Sequence, residues 1–202
     1  TDTFYEVDPD TYEAIITVEY EDAPAVGELV IEKKGEVLDA YKGGLFADSE
    51  DKEFVYKEGS LASAKFEIYA AEDIYTADMQ TDENGNKNKY YAEGDLVATV
   101  VTGEDGKAKV SDLPLGKYRV VEVEAPYGYV LNKEEQYVTF VYVDDKTPVI
   151  RESLTFANDR QKVDLSVAKL DGETGLPVSG AEFGLYAAEN IVNVDGKVIV
   201  EK

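Results

Sequence analysis

The chain predicts an all-β fold, an antiparallel β-sandwich or small barrel set in tandem repeats, and three observations lead there. From Leu96 to Phe156, short runs rich in Val, Thr, Tyr and Phe alternate with turn residues, with almost no helical period. The stretch LASAKFEIYAAEDI at Leu61–Ile74 returns as VSGAEFGLYAAENI at Val178–Ile191, and LVIEK ending at Lys33 returns as LSVAK ending at Lys169. Finally, three strands each carry a polar residue one step beyond an apolar pair. Side chains of a strand alternate between its faces, so Leu29 and Ile31 share a face with Lys33, Tyr118 and Val120 with Glu122, and Leu154 and Phe156 with Asn158. If those faces meet in one core, a lysine, a glutamate and an asparagine meet there too.

Composition bounds the function. The 202 residues suffice for one sizeable core and part of another, and an apolar content of 44% argues against disorder. With 43 acidic residues against 20 basic ones, the formal net charge of −23 argues against nucleic acid and anionic membrane as partners and favours solubility. Cys, His and Trp are absent. Their absence removes thiol nucleophiles, histidine triads, disulfides and the usual zinc sites, so neither a metal nor a cofactor is expected. No apolar run approaches a membrane span, and neither a signal peptide nor a C-terminal anchor is visible. Because the chain opens and closes in mid-pattern, it is expected to be a piece of something longer.

In order along the chain, TFYEV and EAIITVEY read as two strands joined by a turn around Asp8, Pro9 and Asp10. Together they bury one face at most and call for a sheet from a preceding unit. Pro24 and Gly27 mark a linker, after which Leu29 begins a new strand. Residues 34–59, charged and glycine-containing, read as a long surface loop. Ala62–Asp73 follows as a strand with Ala64, Phe66 and Ile68 on one face. In TDENGNKNKYY the alternation of Asp82, Asn84 and Asn86 has a superficial likeness to a calcium loop. The required later glutamate and flanking helices are not evident, whereas Asn-Gly is a strong turn signal, so a turn is expected. DLVATVV and KAKVSDL flank GEDG as a hairpin. The Glu122 strand then ends at Pro126, and QYVTFVYV and VIRESLTF complete the segment.

Matching the repeats divides the chain into C-terminal strands of a preceding unit over 1–24, a complete unit over 25–160, and the N-terminal part of a following unit over 161–202. In that matching Asp22 takes the place of Asn158, and Lys169 that of Lys33, so each is read as half of a site belonging to a neighbouring repeat. Parity alone puts Glu124 on the same face as Glu122.

The order of these pieces resembles the collagen-adhesin B-type, or SpaA-type, repeat domains of Gram-positive surface proteins and pilins. The matching pieces are a first strand ending in Lys33, the GA-x-F-x-LY pattern at Ala181–Tyr186 with a looser copy at Ala64–Tyr69, the Y-x-x-x-E-x-x-AP-x-GY box at Tyr118–Tyr129, and a last strand ending in F-x-N at Phe156–Asn158. The box selects Glu122 over Glu124. The resemblance implies an Ig-like, prealbumin-like sandwich in which Lys33 and Asn158 form an intramolecular isopeptide bond assisted by Glu122. It further implies a cell-wall-anchored, extracellular stalk that carries an adhesive tip. Partners would then be neighbouring repeats of the same chain, with host surface or matrix engaged through another domain. The family's K-x-D-x-x-TG-x-PL run follows Lys169 as LDGETGLPV, but the charged stretch of 34–59 replaces it after Lys33.

The chemistry is consistent with this. Burial disfavours charged forms, so a buried lysine yields its proton more readily and a buried carboxyl keeps one. A neutral amine is a nucleophile, and a protonated carboxyl can polarise the Asn158 carbonyl and pass a proton to departing ammonia. The event occurs once per molecule, so no enzyme turnover is expected. Closing a loop of about 125 residues contributes roughly 4–5 kcal/mol by chain-entropy arguments. The alternative from another class is a β-sandwich that binds carbohydrate or host protein directly, using its 15 tyrosines and the 34–59 stretch.

Overall fold

Alternation of apolar and polar residues sets which face of each strand is buried, and in the computed structural model those faces close on one another as two sheets. The structure describes residues 2–7, 10, 14–19, 22–42 and 53–202, with backbone alone for the first two strands. No helix occurs among the described residues, so none is long and apolar enough to cross a membrane. The first hairpin pairs β1 (Asp2–Val7) with β2 (Ala14–Glu19) antiparallel, as expected; most of its turn, and Tyr20 after it, lie outside the described residues.

One sheet of the sandwich has the order β11 (Gln136–Phe140), β10 (Gly116–Glu124), β5 (Lys65–Ala70), β8 (Leu96–Val101), antiparallel throughout. The other is built on β3 (Val26–Lys42), a strand of 17 residues. Along one edge of β3 lies β12 (Val149–Asn158). Its other partners are β9 (Lys107–Leu113), which pairs with Gly27–Glu32, and β4 (Glu53–Ser60), which pairs with Lys34–Lys42. The inward faces supply a core of Leu29, Ile31, Phe66, Ile68, Tyr118, Val120, Val138, Phe140 and Phe156. Phe66 and Phe156 pack with ring centroids 4.9 Å apart, a tilted arrangement that aromatic pairs favour. Short pairs β6 (Ile74–Tyr75) with β7 (Lys89–Tyr91), and β13 (Ile191–Val192) with β14 (Val198–Val200), lie outside the two main sheets.

Three expectations need correction. The first concerns 34–59. Its described parts, 34–42 and 53–59, are paired strands forming an arm, not a loop. The charged residues misled because a two-stranded arm outside the core can be solvated on both faces; among its described residues only Gly35 and Val37 are buried, and Tyr41 packs on Phe54 with centroids 5.0 Å apart. The second concerns GEDG, which does form a turn, with Gly106 N donating to Gly103 O at 2.8 Å. The strands it joins separate into different sheets, β8 on β5 and β9 on β3, so the turn bridges the sandwich and closes no hairpin ladder. The third concerns strand direction. β3 and β12 are parallel, with Phe156 opposite Lys33 and Asn158 opposite Gly35. A last strand that pairs with the first in one sheet can run either way, since a long connection separates them.

The turn expected around Asn-Gly is present. Asp82 accepts from Asn84 N at 2.8 Å and Asn86 N at 2.9 Å, so its carboxylate is engaged by backbone. From Gln161 to Asn190 the chain has turns and an isolated Leu170–Pro177 bridge but no strand. Leu165 and Val167, expected on a strand with Lys169, are 70% and 55% exposed, as apolar residues must be when no opposing sheet covers them.

Candidate functional site: a buried lysine, glutamate and asparagine

Four polar or charged residues are buried among the described ones, and three of them are Lys33, Glu122 and Asn158, at 1%, 5% and 4% exposure. Strand periodicity brings them together. β3 buries every second residue from Gly27 through Val37, β10 buries Tyr118, Val120 and Glu122, and β12 ends on buried Phe156 and Asn158. A bulge between Glu122 and Glu124 settles the choice that parity leaves open. It shifts the register against β5, and Glu124 emerges exposed.

Main-chain contacts hold the lysine where β9 gives way to β4 along β3. Lys33 N donates to Gly106 O at 2.7 Å, and Lys33 O accepts from Leu61 N at 2.9 Å. Gly106 has φ of 71°, and a Cβ there would lie 2.8 Å from Lys33 O, so the close approach calls for glycine. Gly35, beside Asn158 in register, is equally constrained: a Cβ would stand 2.9 Å from Asn158 O and 2.7 Å from Leu61 Cδ1.

The side chains close a triangle. Lys33 Nζ donates to Asn158 Oδ1 at 2.5 Å and stands 3.3 Å from Glu122 Oε1. Asn158 Nδ2 donates to the same Glu122 Oε1 at 2.8 Å. Here the arrangement differs from the expected one, in which the carboxyl addresses the asparagine carbonyl. Glu122 faces the amide nitrogen, and the amine faces the oxygen. An ammonium can only donate and a carboxylate can only accept, so this orientation of the amide satisfies both. The Phe66 and Phe156 rings flank the amine, with centroids 5.8 Å and 5.9 Å from Nζ. Burial pushes the Lys33 pKa below the ordinary lysine value, and the Glu122 charge opposes that shift without cancelling it.

Two participants were not legible in the sequence. Asn132 N donates to Glu122 Oε2 at 2.9 Å, and Asn132 Nδ2 donates to Ala157 O at 2.9 Å, tying the carboxylate to the peptide preceding Asn158. A backbone donor leaves no residue-type signal. The other is Thr102, the fourth buried polar residue, whose hydroxyl donates to Leu61 O at 2.8 Å and accepts from Ala64 N at 3.0 Å. It fastens the turn that covers Lys33. Asp22 and Lys169 are exposed and take no part in the triangle. Among the described residues no group of acidic side chains could hold a metal ion.

The family model for the SpaA prealbumin-like fold domain matches residues 52–152. The trypsin-resistant surface T6 protein of Streptococcus pyogenes serotype M6 is 28% identical over 123 residues, which cover 60% of this chain and 21% of that protein. Among solved structures, the minor pilin GBS52 of Streptococcus agalactiae superposes with a TM-score of 0.41 at 19% identity, covering 78% of this chain and 57% of that one. Domains D2 and D3 of the major pilin SpaD from Corynebacterium diphtheriae give 0.41 at 17%, covering 78% and 56%. The chain thus spans about a fifth of the T6 protein and little more than half of either pilin chain. The assignment rests on the family model, which takes in half of the chain and runs from β4 into β12: this protein belongs to the SpaA prealbumin-like fold family.

Proposed function

We propose that the chain is a stalk segment of a cell-wall-anchored, pilus-like protein on the surface of a Gram-positive bacterium, and that its middle domain, residues 25–160, cross-links itself through Lys33 and Asn158. The observation that carries this reading is the buried triangle, which holds an amine of lowered pKa against a carboxamide with a carboxylate touching both nitrogens. Lys33 passes a proton to Glu122, and the neutral amine attacks Asn158 Cγ. As the Cγ–Nδ2 bond breaks, Glu122 gives that proton to Nδ2, which leaves as ammonia, and takes a second proton from Nζ, so the new amide keeps one hydrogen and Glu122 ends protonated. One C–N bond forms, one breaks, and nothing is oxidised or reduced. A half-turn of the asparagine amide after the first proton transfer places Oδ1 on the protonated carboxyl, where it is polarised for attack. Apposition of amine and amide in a dry core supplies the entropic advantage that makes a slow aminolysis feasible. The Nζ hydrogen that remains on the new amide faces Glu122, so the product keeps a partner for it.

The function of such a bond is mechanical. Tension enters β3 from the linker and leaves β12 beyond Asn158, and in a parallel pair it shears the ladder between them. With Lys33 joined to Asn158 the load crosses a covalent bond, and everything between them lies outside its path. Asp22 and Lys169 are proposed as half-sites of the preceding and following repeats, at 1–24 and 161–202, and each needs a carboxyl from its own repeat. Partners in this reading are neighbouring repeats and other pilin-like subunits. Pulling on the domain by its flanking linkers tests it. The expected record shows no release of the chain between Lys33 and Asn158, whereas Lys33→Met releases roughly 40 nm at about 3.3 Å per residue. The same release from the unaltered protein contradicts the reading.

A further inference from the structure

The arm formed by β3 and β4 is where the middle domain departs from the repeat that its sequence matches downstream. After Lys169 the chain turns at once: Asp171 accepts from Glu173 N at 3.1 Å and Thr174 N at 2.7 Å, and Val178 N donates to Lys169 O at 2.8 Å. After Lys33 the same step is replaced by strand running out to Lys42 and back from Glu53. The arm buries little of itself in the domain core, so its ordering has to be sought in what else it touches.

It touches the β13–β14 hairpin. The register of β3 against β4 shifts between Leu38 and Ala40, leaving Asp39 as the extra residue of a bulge. Successive strand carbonyls ordinarily point to opposite edges, but around this bulge two consecutive ones serve the same neighbour. Leu38 O accepts from Val194 N at 2.9 Å, and Asp39 O accepts from Asn193 Nδ2 at 3.0 Å. Lys57 Nζ stands 2.7 Å from Asp39 Oδ1 and 4.0 Å from Asp195 Oδ2. The hairpin is shaped for the contact. Asn193 Oδ1 accepts from Asp195 N and Lys197 N, and Gly196 N donates to Asn193 O at 2.9 Å with φ of 77° at Gly196, leaving Val194 N free to face the arm.

We propose that the arm is a strut between units: the bulge at Asp39 is a docking point whose partner is the 191–200 hairpin of the same chain, and it sets the angle at which the following unit leaves the middle domain. The contact rests on main-chain carbonyls, so it tolerates sequence change along the arm. It is also small. Lys57, Asp39 and Asp195 are 47%, 38% and 71% exposed, so their charges add little, and the joint yields long before the middle domain does. A stalk jointed in this way bends reversibly at the arm while its domains remain closed. The proposal stands whether or not Lys33 and Asn158 are joined.

Val194→Pro in the full chain tests it. Proline suits the second position of the Asn193–Gly196 turn and removes only the donor to Leu38 O. In the unaltered protein the Val194 amide is expected to exchange with solvent about tenfold more slowly than an unbonded turn amide, and amide nitrogens of 191–200 are expected to share the middle domain's rotational correlation time. Val194→Pro is expected to shorten the hairpin's correlation time, with the rest of the spectrum unchanged. A hairpin that tumbles independently in the unaltered protein overturns the proposal, as does Val194→Pro leaving its motion as it was.

Discussion

Glu122→Ala is expected to leave Lys33 and Asn158 unjoined in every molecule. The substitution removes the one group that touches both the attacking nitrogen and the departing one, at 3.3 Å and 2.8 Å. It also strips acceptors from Asn158 Nδ2 and Asn132 N and leaves a buried amine without a counter-charge. Uncompensated, such a loss costs about 3–5 kcal/mol. Part of it is relieved because burial already lowers the Lys33 pKa, so the amine can shed its proton and stay buried neutral. The fold is therefore expected to survive at ambient temperature, with earlier melting. Glu122→Gln separates the two effects, since it keeps the volume and one acceptor but cannot carry a proton between nitrogens; it too is expected to block the bond. Glu124→Ala, beyond the bulge and exposed, is expected to change neither bond nor melting. A peptide map of the three variants after denaturation checks all of this, and a cross-link persisting in Glu122→Ala would make Glu122 structural only.

Lys33→Met is expected to produce the largest loss of stability of any single change in the middle domain. The substitution removes the closure between residues 125 apart in sequence and also takes from buried Glu122 the Lys33 nitrogen 3.3 Å away, so both changes contribute to the loss. By the chain-entropy argument that closure contributes about 4–5 kcal/mol, less any strain in the new amide. For a domain of this size the corresponding fall in Tm is roughly 10–20 °C. Asn158→Ala should fall at least as far, because it leaves Lys33 without its 2.5 Å acceptor. Calorimetry of the two variants beside the unaltered protein gives the comparison. Equal melting temperatures for Lys33→Met and the unaltered chain would mean that no closure is lost.

The site was largely legible because it breaks a simple rule. Alternation says what each strand residue should be, so a lysine after Leu29 and Ile31, a glutamate after Tyr118 and Val120, and an asparagine after Phe156 stand out, and the structure buries all three together. Parity could not separate Glu122 from Glu124, because a bulge depends on pairing with β5 that the β10 sequence does not encode alone. The 34–59 stretch misread for a related reason: an arm solvated on two faces carries no apolar period, so its strands look like loop. Strand direction was also out of reach. Nothing in the local sequence of β12 says that it runs parallel to β3, since a long connection permits either. Asn132 acts through its backbone N–H on Glu122, and any residue but proline could do that.

The mass of the intact, folded protein tests the central claim most directly. Forming an amide between Lys33 and Asn158 expels one ammonia, so the account predicts a mass short of the sequence value by one ammonia. Digestion should then yield a branched peptide that joins Lys33, and not its exposed-side neighbour Lys34, to Asn158. A folded protein with the full sequence mass, its Lys33 and Asn158 peptides recovered separately, would contradict it.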